Sequence, residues 1–315
     1  MEHVQHGVSP DVQAFHTTTE PGYTEAELRP LVAKWGTLLG EDLSPRLVTA
    51  MVLVLENLAQ LYARYETAPP EAKYLWPLVR RAFAATAAHR LFKVQVARGP
   101  VVAVTHRDES MPLVATPRAL RVRLPTPEVL QDLQALHGID AEVELLVAAA
   151  SQLVLEIERY HLGEVLRAAP EIVGSRRDTP ASLLRQVVPS LRAQRAGAVS
   201  PEASFFAVMS PDQLSRLDVE GSGFVSRKSG MELTLAVVGT LDCEDVTVEV
   251  YEDPFFPPDH ILAGWRNGPD DAGAIWAPYM LLYRPDAVKP EGLATRDAFK
   301  VVEPAFFAKI IAPRP

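Results

Sequence analysis

The residues best suited to chemistry lie in one short stretch, QDLQALHGIDAEVEL, from Gln131 to Leu145. If this stretch is helical, His137, Asp140 and Glu144 follow one another at spacings of three and four and share one face. An imidazole and two carboxylates on one face could bind a divalent metal or transfer protons. Helical metal sites such as HExxH, however, pair two strong ligands at i and i+4, and no second histidine lies within a turn of His137. The spacing therefore favours a structural polar face, with a metal site as the weaker alternative.

Three other segments contain residue types that occur at binding or catalytic sites. GSGFVSRKSG resembles a phosphate-binding loop in composition but lacks the GxxxxGK[ST] spacing, which favours a flexible loop between strands. Cys243 lies among apolar and acidic residues, which disfavour its thiolate form. Arginines that could face phosphate cluster at Arg167, Arg176, Arg177, Arg185, Arg192 and Arg195, although a solvated surface is the more ordinary explanation. The residues alone thus predict no enzyme, no cofactor and no bound metal.

The composition is that of an ordinary folded protein. The chain has 315 residues, of which 48% are hydrophobic and 23% are charged, enough for one large domain or two smaller ones. Its net charge of -9 gives no overall attraction to nucleic acid or to an anionic membrane. A single cysteine excludes an intrachain disulfide. We expect no secretion signal and no membrane-spanning helix, because no apolar run is long enough.

Helical patterns come mostly first along the chain and strand patterns mostly last. A loose tail over residues 1–22 precedes a helical extension over 24–66 that contains RLVTAMVLVLENLAQLYARYE. KVQVARGPVVAV predicts two strands, and RDESMPLVATP predicts a short loop. The longest helical pattern covers 126–169 with a kink at Gly138, and SLLRQVVPSLRAQ predicts another helix. Strand patterns separated by Gly, Pro and Asp turns follow, which favours an α+β fold over a doubly wound sheet.

Several blocks of the sequence, in order, resemble the major capsid protein of T-even-type tailed bacteriophages. WPLVRRAF is similar to the family's Pro-x-Val-Arg-Arg block. QDLQALHGIDAE and the later EIER resemble the family's Gln-Asp-Leu, His-Gly-Leu-Asp-Ala-Glu and Glu-Ile-Asn-Arg. VEVYEDPF and DAGAIWAPYMLL resemble its segments that contain Asp-Pro-Tyr, Asp-Ala-Gly and Tyr-Ala-Pro-Tyr. The resemblance runs roughly from Tyr74 to the C-terminus, and the number and order of the blocks make it specific.

The residues that match the family are expected to hold turns and interfaces in an assembly. They are Arg80, Arg81, Gln131, Asp132, His137, Gly138, Asp140, Glu142, Glu156, Arg159, Asp253, Pro254, Asp271, Gly273, Pro278 and Tyr279. The resemblance implies a structural protein without enzymatic activity, cofactor or metal.

The implied fold is the Hong-Kong-97-type capsid fold, in which a long spine helix lies in a peripheral domain beside an axial domain. The implied divisions are an N-terminal tail and helical extension (1–73), an arm with an unusually short extended loop (74–125), a peripheral domain with the spine helix (126–180), an axial domain (181–265) and return strands of the peripheral domain (266–315).

The implied function is self-assembly into hexamers and pentamers of an icosahedral shell around a double-stranded DNA phage genome. The subunit would be part of the virion capsid and would assemble in the host cytoplasm. Scaffold, portal, vertex or decoration proteins are possible partners, while DNA is enclosed without sequence-specific contacts and no membrane is involved. The alternatives are a domesticated compartment shell, a pentameric vertex paralogue and, least favoured, a metal-dependent enzyme at His137, Asp140 and Glu144.

The sequence departs from the family at two points. The family's extended loop is long and reaches over a neighbouring subunit, whereas here only about ten residues, from Arg107 to Thr116, join the two strands. Contacts between neighbours are therefore expected from the helical extension 24–66 or from a partner protein. The family's cleavage signal, Leu or Ile, any residue, Glu and a small residue, also has no good match, which argues against maturation by proteolysis.

Overall fold

The computed structural model describes residues 20–21 and 91–312. Within the second range it leaves out 96, 98–99, 107–108, 122–125, 138–140, 194–198, 202, 220–221, 227–234, 244, 269–270 and 284–291. The predicted extension over 24–66, the kink at Gly138 and the block with Arg80 and Arg81 lie outside these residues. In the described part of the chain helices and sheets are combined, which confirms the α+β class. None of the helices found there is long and apolar enough to cross a membrane.

Two helices occupy most of the range in which the longest helical pattern lies. They are α1 (Pro127–His137) and α2 (Ala141–Ala168). Proline suits the first helical position of α1 because its missing N–H would have no partner there. Helix α2 has 28 residues and is therefore about 42 Å long. It buries Leu153, Ile157 and Val165, so the apolar stripe predicted by the three- and four-residue spacing faces the core.

A seven-stranded sheet forms the larger hydrophobic core. Its strands, in spatial order, are β6 (Glu171–Val173), β14 (Phe307–Ile311), β11 (His260–Asn267), β7 (Ala203–Met209), β10 (Val246–Glu252), β9 (Ala236–Cys243) and β8 (Phe224–Ser226). The central strands β7 and β11 are almost continuously buried, as expected for strands covered on both faces. Helix α3 (Pro180–Ala193) packs Leu184 and Val188 into this core, and the short helix α4 (Pro211–Leu217) follows β7.

Two smaller sheets complete the described structure. A four-stranded sheet has the order β2 (Lys93–Val94), β12 (Ala274–Tyr283), β13 (Gly292–Val301) and β5 (Thr116–Arg121). A three-stranded sheet consists of β1 (Glu20–Pro21), β3 (Val101–His106) and β4 (Glu109–Val114). Strand β4 continues into β5 after the single residue Ala115, so one stretch of chain connects the two sheets.

The structure corrects three expectations about irregular segments. RDESMPLVATP was predicted to be a loop because of its proline and polar residues, but Glu109–Val114 forms strand β4 in a hairpin with β3. GSGFVSRKSG was predicted to be a flexible loop, but Phe224–Ser226 pairs with β9. The tail was predicted to be loose, yet Glu20–Pro21 pairs with β3. In each case pairing with another strand outweighs the local preference of the sequence.

The domain divisions remain predictions, and the strand pairing adds one feature that they did not include. Strand β14 lies in the predicted return segment 266–315, but it pairs antiparallel with β11 and parallel with β6. The last strand is therefore part of the sheet formed by the predicted axial segment 181–265. Strands β12 and β13 of the return segment lie instead in the four-stranded sheet.

Candidate functional site

A buried carboxylate joins helix α2 to the four-stranded sheet. Asp297 of β13 is 1% exposed. Its Oδ2 atom lies 2.9 Å from Nε2 of His161 in α2 and accepts a 3.1 Å hydrogen bond from Nε1 of Trp276 in β12. Its Oδ1 atom accepts a hydrogen bond from Arg118 of β5. One helix and three strands therefore meet at a single side chain, and we call these four residues the Asp297 junction.

Aromatic rings enclose the imidazole of His161. The ring stacks on Phe299 with 4.1 Å between centroids and meets the edges of Phe92 and Trp276 at 6.3 and 5.9 Å. Burial lowers the pKa of His161, and the hydrogen bond to Asp297 offsets this only in part. The imidazole is therefore neutral at pH 7. Since Asp297 is an acceptor, we assign the proton to Nε2; among the described residues Nδ1 has no hydrogen-bond partner.

Arg118 closes the junction on its solvent side. Its side chain is 14% exposed and provides the positive charge that balances Asp297. Its guanidinium carbon also lies 4.6 Å from the centroid of the Tyr160 ring on α2, a favourable cation–π distance. Burying a carboxylate costs free energy, and here three directed donors compensate for the lost water. The arrangement is suited to holding the helix in place.

The Asp253–Pro254 block lies against helix α2. Asp253 is buried, its Oδ1 atom accepts a 2.9 Å hydrogen bond from the N–H of Phe255, and its own N–H donates to the carbonyl of Met209. The guanidinium carbon of Arg159 lies 5.0 Å from the centroid of the Phe255 ring. Burial raises the pKa of Asp253, against the opposing effects of the Phe255 N–H and of Arg159. Two blocks that are distant in sequence, with Arg159 and Asp253, are therefore neighbours in the structure.

The Asp271–Gly273 block closes the connection between β11 and β12. The N–H of Asn267 donates to the Asp271 carbonyl at 2.8 Å, and the Asn267 side-chain amide donates to the Asp271 carboxylate at 3.2 Å. The Gly273 carbonyl accepts two N–H groups from the chain that follows β13, at 2.9 and 3.0 Å. A Cβ atom on Gly273 would lie 2.5 Å from Cβ of Phe306 and 2.8 Å from the Glu303 carbonyl. Only glycine fits here, because the neighbours include backbone.

The Pro278–Tyr279 block receives the arm of the chain. Strand β2 pairs in parallel with β12, and the pairing continues where Gln95 and Ala97 donate to the carbonyls of Trp276 and Pro278, both at 2.9 Å. Tyr279 packs against the smaller hydrophobic cluster between the two small sheets. The residues matched to the family thus stabilise the edge at which residues 93–97 join the sheet.

The structure describes the side chains of only a few of the remaining predicted residues. The side chains of Gln131, Asp132 and Glu156 are exposed. At His137, Glu142 and Glu144 the structure describes only helical backbone, and Gly138 and Asp140 lie outside the described residues. The predicted metal face is therefore untested. Among the side chains that are described, no group of three His, Cys, Asp or Glu residues could hold a metal ion.

Sequence reasoning did not identify the Asp297 junction. One signal was present, since His161 occupies the apolar stripe of α2, four residues after Ile157 and four before Val165. A polar residue in such a stripe is expected to have a buried partner. Nothing in the local pattern indicated that the partner would be Asp297, which lies 136 residues further along the chain.

Comparisons with known proteins give matches at the level of structure. No protein-family model matches the chain, and no curated protein sequence matches it. A virus-like particle from Pyrococcus furiosus aligns with a TM-score of 0.48 at 12% identity, over 74% of this chain and 95% of that one. The SrpI encapsulin of Synechococcus elongatus PCC 7942 aligns with a TM-score of 0.48 at 12% sequence identity, over 71% of this chain and 86% of that one. The capsid of Cyanophage P-SCSP1u aligns with a TM-score of 0.39 at 10% sequence identity, over 71% of this chain and 87% of that one. Such distant likeness assigns neither a family nor an activity.

Replacing Gly273 by alanine tests the close packing at the Asp271–Gly273 block. We expect G273A to lower the free energy of unfolding by about 1–3 kcal/mol, because the added methyl group overlaps Phe306 and backbone. Gly163 in α2 is the matched control, since a Cβ there meets nothing within 4 Å. G163A should stabilise the protein by about 0.5–1 kcal/mol, because alanine favours helix over glycine. Urea unfolding of both variants gives the comparison, and equal effects would contradict the packing described.

Replacing Asp297 by alanine tests the junction. The change leaves Arg118 and His161 without their partner, and breaking a buried ion pair in this way costs about 3–5 kcal/mol. We expect a loss of this size in the free energy of unfolding. Lys300, exposed on the same strand, provides the control, and K300A should change stability by less than about 0.5 kcal/mol. A D297A variant as stable as K300A would show that the carboxylate does not hold the helix.

The buried imidazole predicts acid sensitivity. In an unfolded chain the pKa of histidine is about 6.5. The pKa of His161 in the folded protein is lower. As the pH falls from about 6.5 towards the folded-state pKa, the unfolded chain binds a proton that the folded chain does not, so stability decreases. We expect the melting temperature of the wild type to fall more between pH 7 and pH 5 than that of H161Q. Asp253, whose raised pKa acts with the opposite sign, is present in both proteins and cancels in the difference. If the melting temperatures of the two proteins changed equally with pH, His161 would not be the cause of the acid sensitivity.

Proposed function

We propose that the protein is a major capsid protein similar to that of T-even-type tailed bacteriophages, which self-assembles into an icosahedral shell around a double-stranded DNA genome. The ordered series of family-like blocks from Tyr74 to the C-terminus carries this proposal. No single block would be sufficient, but the same blocks in the same order are difficult to explain by chance. The subunit is then a virion protein that assembles in the host cytoplasm.

The positions of the matched residues support a role in assembly. Arg159 and Asp253 connect helix α2 to the loop after β10, and Gly273 fixes the start of β12. The carbonyl of Pro278 accepts a hydrogen bond from the N–H of Ala97, shortly after β2. These residues lie at connections between different elements of the described structure. A shell subunit needs this kind of stiff framework, because small errors in shape would accumulate over many symmetric copies.

The proposal gives each part of the structure a place in a Hong-Kong-97-type capsid fold. Helix α2 is the spine helix, and it lies with the four-stranded sheet in the peripheral domain. The seven-stranded sheet with α3 and α4 is the axial domain, which would meet its copies around the symmetry axes of hexamers and pentamers. The hairpin of β3 and β4 is the short extended loop. The net charge of -9 suits a container that must not bind its DNA tightly.

A compartment shell without a genome is the second candidate, and the short hairpin favours it. Strands β3 and β4 have six residues each, which corresponds to about 20 Å. A shell under pressure from packaged DNA benefits from long loops that overlap neighbouring subunits, whereas a compartment has less need of them. Purified native particles separate the two candidates, because a capsid contains double-stranded DNA and a compartment contains protein cargo.

Electron microscopy of the purified recombinant protein tests the claim common to both candidates, that the protein forms a closed shell. We expect closed icosahedral particles, because each subunit carries the framework and the faces for symmetric contacts. A stable monomer at high concentration would contradict both candidates.

Deletion of residues 1–70 tests where the contacts between neighbours lie. Because the hairpin is short, we expect this deletion to abolish closed particles while a monomeric fold is retained, as measured by sedimentation velocity and circular dichroism. Deletion of residues 1–19 alone is the matched control and should leave assembly intact. Intact shells from the longer deletion would show that the extension is dispensable.

A further inference from the structure

Helix α1 exposes an apolar stripe. Leu136 is 75% exposed and Val129 is 46% exposed, while Leu133 between them is half-buried. The spacings of four and three residues place these side chains on one face. None of the α1 side chains described in the structure is buried. An amphipathic helix normally turns its apolar stripe towards another element, and large apolar side chains grouped on a surface mark an interaction site.

The sequence contains a segment with a matching pattern. In residues 45–66, apolar side chains recur at alternating spacings of three and four, at Val48, Met51, Leu55, Leu58, Tyr62 and Tyr65. This is the spacing of a coiled-coil seam. The stripe on α1 has the same spacing over two turns. Helices with matched seams can pack side by side, each inserting its apolar side chains between those of the other. The match is one of sequence, since residues 45–66 lie outside the described part of the chain.

The length of chain between residues 45–66 and the described body, which starts at Leu91, sets how far that segment can reach. Residues 67–90 number 24 and would span at most about 80 Å if fully extended. The hairpin of β3 and β4, in contrast, extends only about 20 Å. In a shell whose extended loop is short, the longer connection is the one that can reach the next subunit.

We propose that residues 45–66 of a neighbouring subunit dock on the stripe of Val129, Leu133 and Leu136. The proposal rests on the proposed shell function and adds the contact that replaces the long extended loop. Each docking event buries only a few side chains and is weak alone. Repetition at every subunit makes the sum strong, as multivalent assembly requires.

Disulfide trapping tests the contact directly. Leu136→Cys is coexpressed with Met51→Cys, Leu55→Cys or Leu58→Cys on a second copy of the full-length chain that carries a longer tag. The native Cys243 is 1% exposed and does not compete. We expect mild oxidation to give a cross-linked heterodimer for at least one of the three pairs. Ala135→Cys, which is exposed and lies off the stripe on α1, is the matched control and should give none.

The possible results separate the alternatives. A cross-link that forms only within one chain, when both cysteines are placed on the same copy, overturns the assignment to a neighbour. Closed particles with no cross-link for any pair overturn the docking proposal and leave the shell function standing. Cross-linked heterodimers without closed particles overturn the shell function instead.

A charge at the stripe provides an independent measurement. We expect Leu136→Glu to reduce the yield of closed particles about tenfold or more, because the weakened contact recurs at every subunit. Leu136 is largely exposed, so the fold should be unaffected, and circular dichroism checks this. Ala135→Glu, at an exposed position of the same helix that lies off the stripe and outside the family-matched residues, should assemble as the wild type does. Equal yields from the two variants would overturn the proposal.

Discussion

The structure depends on the burial of one carboxylate. Removing Asp297 from water costs several kcal/mol, and the cost is recovered only while Arg118, Trp276 and His161 all point towards it. Hydrophobic packing alone would let helix α2 slide or rotate by a few degrees at little cost, because apolar contacts have no preferred direction. Hydrogen bonds to a buried charge do have direction. The Asp297 junction therefore fixes which residues of α2 face each sheet.

The position of the helix determines the rest of the framework. Arg159 lies two residues before His161, so the junction also places Arg159 over the Phe255 ring. Glu158, directly before Arg159, is buried, and its carboxylate accepts a 3.4 Å hydrogen bond from the N–H of Leu235, the residue before β9. Residues 158–161, about one turn of the helix, thus contact the four-stranded sheet on one side and loops of the seven-stranded sheet on the other. These contacts with one helix fix the positions of the two sheets relative to each other.

Local sequence patterns predicted the elements whose causes are local. The stripe of α2 follows from three- and four-residue spacing, and β7 and β11 follow from apolar runs bounded by turn residues. Strand β4 was missed because Pro112 disfavours a strand locally, although its partner β3 directly precedes it in a hairpin. The contact of Arg159 with the Asp253 loop followed from neither block alone. Contacts between residues far apart in sequence depend on how the sheets are arranged, and a periodicity does not contain that information.

The edges of the large sheet restrict how copies of this chain can associate. One of its outermost strands, β6, has three residues and is bounded by described residues on both sides, and a short edge offers few free backbone groups to a strand from another molecule. Association through extended strand pairing is therefore disfavoured at the β6 edge of this sheet. Side-chain contacts from helices and loops remain, and these can be weak and numerous. Weak, repeated contacts allow a misplaced subunit to dissociate before a shell closes, whereas long paired strands would trap it. A rigid interior with a short edge at β6 is thus compatible with the proposed role, in which a subunit must assemble accurately from many copies.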